Sequence, residues 1–203
     1  MADWNGEIAS REELRERKRR AALRVASRLF NEKGYHATSL DEIADCIGVT
    51  KTALYYYFRN KEELLFECIE LSLNAGDRAR EAAPADGPAL ERFRAFYLRF
   101  LTEVMRDGGS YTTMVNMRAL PSAMQERAAQ RRDGLRDHIA GLLDAAMAEG
   151  SVRPLDSAAT ASFLITAINW LVAYPQEFPT PPLDPEQEAR AFLDQLLYGI
   201  SLR

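Results

Sequence analysis

Residues 38–61, TSLDEIADCIGVTKTALYYYFRNK, constrain this chain more than any other stretch. Two short helices are written there back to back, each with its own start and stop. Ser39 stands three residues before Glu42, the spacing of a capping box. Gly48 can adopt the left-handed backbone that ends the first helix, and Thr50 can cap the second, expected over Lys51 to Phe58. Asn60, three residues before Glu63, opens a longer helix at Lys61. Isolated helices shorter than about 12–15 residues are marginal in water, so both short ones must be held by packing. Ile43, Ile47, Val49 and Leu54 can fill the space between them, with small Ala44 where they approach. Tyr55, Tyr56 and Tyr57 then sweep more than half a helical circumference, so they cannot all be buried.

The remaining segments also read as helices. A first one is expected from about Arg11 to Lys33, with Ala22, Ala26, Leu29 and Phe30 as its apolar stripe and Gly34 as its stop. The helix from Lys61 reaches about Arg80, where EAAPADGP forms a connector. Pro88 opens an amphipathic segment to about Arg106, broken by Gly108-Gly109. Pro121 to Gly150, Asp156 to Tyr174 and Pro185 to about Leu202 follow, with the proline-rich PQEFPTPPLDP before the last. No stretch alternates with period two for long, and no Asn-Gly or Asp-Gly hairpin signal occurs. An all-α chain of about nine helices is expected, with a three-helix N-terminal domain over residues 11–74 and a larger helical domain over 75–203.

Charge is unevenly spread. Residues 11–61 hold 12 Lys+Arg against 7 Asp+Glu, whereas the whole chain holds 26 against 30, leaving 14 against 23 outside that window. A basic module on an acidic body suits a selective nucleic-acid reader better than a sticky one. Two cysteines, Cys46 and Cys68, give no disulfide framework or metal-ligand pair, and two histidines, His36 and His138, give no cluster, so no cofactor is expected. No Gly-rich phosphate loop, Gly-x-Ser-x-Gly or carboxylate dyad is present, so an enzyme is not expected. The N-terminus has no apolar signal region. Ala158 to Tyr174 is short for a span and carries Thr160, Ser162, Thr166 and Asn169. A cytoplasmic protein without membrane contact is expected.

The two short helices have the build of a helix-turn-helix, whose second helix enters the major groove. Lys51, Thr52, Ala53, Tyr55 and Tyr56 would be its exposed residues, offering a cation, a hydroxyl, methyl groups and phenols to base edges or phosphates. An ordinary helical hairpin with an aromatic core is the alternative from spacing alone. Residues 22–67 resemble the DNA-binding domain of the tetracycline-repressor (TetR) family. The matching pieces are Phe30-x-x-x-Gly34-Tyr35, Thr38-Ser39-Leu40, Ile43-Ala44, Ile47-Gly48-Val49-Thr50, Leu54-Tyr55-Tyr56-Tyr57-Phe58 and Lys61-Glu62-Glu63-Leu64. Thr52 departs from the glycine that many members carry there. The resemblance implies phosphate contacts from Thr38, Ser39, Tyr57 and Lys61. It also implies base-edge contacts from Lys51, Thr52, Ala53 and Tyr55, with Thr50 and Tyr56 in the same interface. The run Arg15-Glu16-Arg17-Lys18-Arg19-Arg20 either extends that phosphate footprint or is a solvated helix face.

The resemblance further implies a double-stranded DNA operator, a homodimer and a small-molecule effector. In the family the last two helices of each subunit form the dimer seam. Here they would contribute Phe163, Leu164, Ile168, Leu171, Phe192, Leu193, Leu196 and Leu197. Residues for an effector pocket between the middle helices are Phe93, Phe96, Tyr97, Phe100, Met114, Met117, Met147, Asn169 and Trp170, alternatively plain core. Their apolar character suits an apolar effector, and Asn169-Trp170 before a proline-rich loop is similar to members that sense acyl-CoA. Control by a protein partner instead of a ligand is the other expectation.

Overall fold

A computed structural model of the chain describes residues 11–106, 114–173 and 184–200. Eight α-helices and one 3-10 helix form the described residues, and no strand occurs among them. In order these are α1 (Arg11–Lys33), α2 (Leu40–Ile47), α3 (Lys51–Tyr55), α4 (Lys61–Ala82) and α5 (Ala89–Arg106). A 3-10 turn (Met114–Ala119), α6 (Ser122–Ala148), α7 (Ser157–Ala173) and α8 (Pro185–Ile200) follow. The break expected at Gly108-Gly109 and most of the proline-rich loop fall outside the described residues, as do the side chains of Met114, Asn169, Trp170 and Leu171.

Two apolar cores are built around the continuous α4. Its first half, Leu64, Leu65, Phe66, Cys68, Ile69 and Leu73, packs with Leu23, Ala26 and Phe30 of α1 and with Ile43, Ala44, Leu54 and Phe58. Its second half, Ala75 and Ala79, joins α5 to α8 in the larger core. Core membership changes between Leu73 and Ala75, inside one helix rather than at a linker. The N-terminal core also takes Leu120 and Ala128 from beyond the 3-10 turn. Asn116 there donates its side-chain amide to the Phe30 carbonyl at 3.2 Å. The two halves are therefore bonded together as well as sharing α4.

Where α4 crosses α6, Gly76 permits the approach: a Cβ there would lie 2.9 Å from Leu135 Cδ1. Arg131 of α6 fastens the same crossing. Its guanidinium donates to Glu70 at 2.6 Å and to Asn74 at 2.9 Å, and also pairs with Asp77. Glu70, Asn74 and Asp77 are spaced by four and three residues, so one forked cation meets a single stripe of α4. At the far end, Glu149 accepts from the Ala89 N–H at 2.8 Å and satisfies an unpaired donor at the start of α5.

The residues expected to line an effector pocket do not all converge. Phe93, Phe96, Tyr97 and Phe100 are buried together in the larger core. Phe93 and Tyr97 stack with ring centroids 5.6 Å apart, and the Tyr97 hydroxyl donates to the Leu164 carbonyl at 3.0 Å. Met117 instead packs against the N-terminal core. Met147 belongs to a third cluster with Ala89, Ala146 and Val152. Helical spacing places residues of this set on apolar faces, but the four aromatics, Met117 and Met147 serve three different cores.

The dimer-seam expectation is corrected in the same way. Leu164, Ile168, Leu193 and Leu197 lie inside the protomer's own core, Leu164 with only 1% of its surface exposed. Phe192 and Leu196 are partly covered against that core. Of the seam residues, Phe163 alone is open among the described side chains, at 65% exposed, and Tyr198 on α8 is open at 78%.

Candidate nucleic-acid interface

Local chemistry shapes α2 and α3. The Ser39 hydroxyl accepts from the Glu42 N–H at 3.0 Å and starts α2. Gly48 ends it in the left-handed region with φ 69°, and the Val49 N–H returns to the Ala44 carbonyl at 3.0 Å. The Thr50 hydroxyl then accepts from the Ala53 N–H at 3.2 Å. Helix α3 is shorter than expected, ending at Tyr55 rather than Phe58. The N–H groups of Tyr57 and Phe58 both bond the Leu54 carbonyl, closing a final tight turn. That turn buries Phe58 and delivers Asn60, whose side chain accepts from the Glu63 N–H at 2.7 Å to start α4.

These caps decide which hydroxyls can donate a hydrogen outward. A capping hydroxyl accepts from the backbone and keeps its own hydrogen, which an exposed Ser39 or Thr50 can give to a phosphate oxygen. Thr38 is different. It is 1% exposed, and its hydroxyl hydrogen is shared between the carbonyls of Leu29 at 3.1 Å and Gly34 at 3.0 Å. The expected phosphate contact from its side chain is therefore corrected: Thr38 ties α1 to the start of α2.

Lys51, Thr52, Tyr55 and Tyr56 are exposed, and Ala53 and Tyr57 are half-buried. Leu54 and Phe58 anchor this surface from beneath. The tyrosines thus divide as their consecutive positions require, with Tyr57 packed against the core and edge-on to Tyr56 at 5.3 Å. The Lys51 ammonium is held 2.8 Å from Asp41 across the turn. That hydrogen bond, with the carboxylate's charge, raises the Lys51 pKa. Asp41 was not legible as part of the site, because an exposed acidic residue in the first turn of α2 already has a helix-dipole role.

Lys61 lies at the N-terminus of α4, an anion-attracting end. Its ammonium sits 4.1 Å from the centroid of the Tyr35 ring, and partial burial lowers its pKa. Tyr35 in turn donates its hydroxyl to Glu62 at 3.0 Å, and burial with that bond pushes its pKa up to about 12. No carboxylate forms an ion pair with Lys61 among the described residues. Tyr35 is the second residue missed: the Gly34-Tyr35 pair was visible as a motif, but its ring's place beneath Lys61 depends on the fold. The resulting surface carries three aliphatic hydroxyls, two cations, phenols and methyl groups from three successive helix starts. Such a set can hold a duplex backbone and present α3 to base edges.

Comparison with known proteins agrees with this geometry. Residues 22–68 match the family model described as bacterial regulatory proteins, tetR family, and residues 86–200 match the tetracyclin repressor-like C-terminal domain. The HTH-type transcriptional regulator RutR of Escherichia coli (strain K12) is 30% identical over 142 residues, 68% of this chain and 66% of that protein, just under two thirds of its length. The HTH-type transcriptional regulator AcrR of Shigella flexneri is 28% identical over 193 residues, 88% of this chain and 87% of that protein. Among solved structures, the TetR family regulator PfmR from Thermus thermophilus superposes with TM-score 0.72 at 26% identity, covering 97% of this chain and 99% of that one. AibR, in complex with isovaleryl coenzyme A and operator DNA, superposes with TM-score 0.68 at 26% identity, covering 88% and 97%. These relatives are transcription regulators and not enzymes. With two cores sharing α4, a capped helix-turn-helix and both domain models matched, this chain belongs to the tetR family of bacterial regulatory proteins.

Proposed function

We propose that this protein is a repressor that binds a double-stranded DNA operator as a homodimer and leaves it when a small effector, apolar or an acyl-CoA, enters residues 75–203. The observation that carries this reading is the division of α4. Its N-terminus holds Lys61 at the DNA-facing surface, whereas Ala75 and Ala79 are built into the effector-domain core. The Arg131 fork and the Gly76–Leu135 approach give that core a grip on the same helix. Movement of α5 or α6 around a ligand therefore reaches Lys61 without any intervening loop. The complex of AibR with isovaleryl coenzyme A and operator DNA supports an acyl-CoA as the first class to test.

Dimerisation uses the open sides of α7 and α8, where Phe163 and Tyr198 stand clear of the protomer core. Two recognition helices on one duplex face must sit about 34–36 Å apart, or a multiple of that. A displacement of a few ångströms between subunits removes contacts at both ends. A ligand that induces fully prefers the released state by roughly 4–6 kcal/mol, since equal affinity for both states shifts nothing. Reciprocity then requires operator DNA to weaken ligand binding by the same factor.

The test is calorimetric titration of an acyl-CoA series, with and without saturating operator recovered from DNA that the protein retains from its own genome. Weaker acyl-CoA binding in the presence of operator is expected. Equal affinities in both titrations would contradict ligand-driven release and favour control by a protein partner.

A further inference from the structure

A groove of about 400 Å³ lies between the first two turns of α1 and the residues that follow α3. Its α1 wall carries Arg11, Arg15 and Lys18, spaced i, i+4 and i+7 and therefore on one face of the helix. Tyr56 and Tyr57 form the opposite wall, continuous with the exposed side of the recognition helix. The Arg15 guanidinium sits 5.3 Å from the Tyr56 ring centroid, a cation–π contact that positions the arginine without neutralising it. Glu12 also lines the groove, leaving an excess of two positive charges.

The basic run of α1 divides here. Arg19 pairs with Glu67, and Arg20 with Glu16 at 3.0 Å. Neither Arg15 nor Lys18 forms an ion pair with a carboxylate among the described residues. Both are exposed, so their charges are kept apart from the internal pairs of the same helix.

On the reading that α3 occupies the major groove, we infer that this groove is a second backbone site, taking a phosphodiester of the operator strand beside the Tyr56 end of α3. The ligand class is the DNA sugar–phosphate backbone. A helix in a major groove about 12 Å wide is flanked by phosphates on both sides. Ser39 and Lys61 belong to the α2 and α4 starts, and the Arg15–Lys18 groove supplies cations at the remaining end of α3. Such contacts carry no base information and fix how the recognition helix is seated.

The experiment measures log K against log salt concentration for the full-length protein on its operator and on an unrelated duplex. Each phosphate neutralised contributes a slope of about 0.9. Because the groove holds one phosphodiester, the double variant Arg15→Ala/Lys18→Ala is expected to lower the slope by about one unit on both duplexes, with thermal stability unchanged. Arg24→Ala, exposed on the same helix six residues beyond Lys18, is expected to leave it unchanged. Ethylation of individual operator phosphates should interfere with wild-type binding at a position where the double variant is no longer sensitive. An unchanged slope in the double variant, or an equal fall in Arg24→Ala, overturns the site. Failure of the wild-type protein to bind any duplex would instead remove the underlying DNA-binding reading.

Discussion

At the scale of single residues, adjacent hydroxyls do different work. Thr38 and Ser39 are neighbours with similar chemistry, and the family resemblance assigns both the same phosphate-facing role. Only the approach of α1 to α2 decides that Thr38 turns inward while Ser39 keeps a free hydrogen. Thr38→Val should therefore cost about 1 kcal/mol of stability by deleting a buried hydrogen bond. It should leave the salt slope of DNA binding unchanged, whereas a fall of about one unit would return Thr38 to the phosphates. His138 offers a second residue-scale test. It lies edge-on to Phe96 at 4.8 Å, its Nε2 is buried without a partner among the described residues, and Arg80 and Arg92 face it. Burial, then the two arginines, hold its pKa below the ordinary 6.5. The unfolded chain therefore takes up the proton first, and stability present above pH 6.5 is lost as pH falls below it. Thermal melts from about pH 7 to about pH 5 should fall more steeply for wild type than for His138→Leu. Parallel curves would show that this imidazole does not report on folding.

At the scale of elements, starts and stops were legible because their chemistry is local. Ser39, Gly48, Thr50 and Asn60 each occupy the cap position that their residue type favours. The end of α3 and the 3-10 turn were not legible, because both are set by distant contacts. Phe58 must reach the core around α4, and Asn116 must meet the end of α1. Gly48→Ala isolates one local term. Its Cβ would meet nothing within 4 Å, so the left-handed φ is the whole penalty. A loss of roughly 1–2 kcal/mol is expected from denaturant melts, and no loss would mean that the α2–α3 turn can close another way.

At the scale of the whole molecule, hydrophobicity marked α7 and α8 as important without saying which side faces inward. Both helices carry apolar residues on more than one face, and the protomer core claims Leu164, Ile168, Leu193 and Leu197. Phe163→Asp with Tyr198→Asp should therefore yield a folded monomer by light scattering that binds a full operator poorly. Leu164→Arg should instead unfold the protomer, because it buries a charge without a partner. A dimer that survives Phe163→Asp/Tyr198→Asp would place the interface elsewhere. Charge asymmetry, by contrast, was legible at this scale, since the basic 11–61 window contains α1 to α3 and the start of α4.

The most direct measurement of the central claim separates seating from reading. Binding of the operator and of a scrambled duplex is measured across a salt series for wild type, Lys51→Ala and Lys61→Ala. If the proposed base-edge role of Lys51, exposed on α3 beside Asp41, holds, Lys51→Ala should lose preference for the operator. Lys61, held over Tyr35 at the start of α4, should lose about one unit of salt slope on both duplexes and keep the preference. A Lys61→Ala variant that loses sequence preference while its salt slope stays intact would contradict the account.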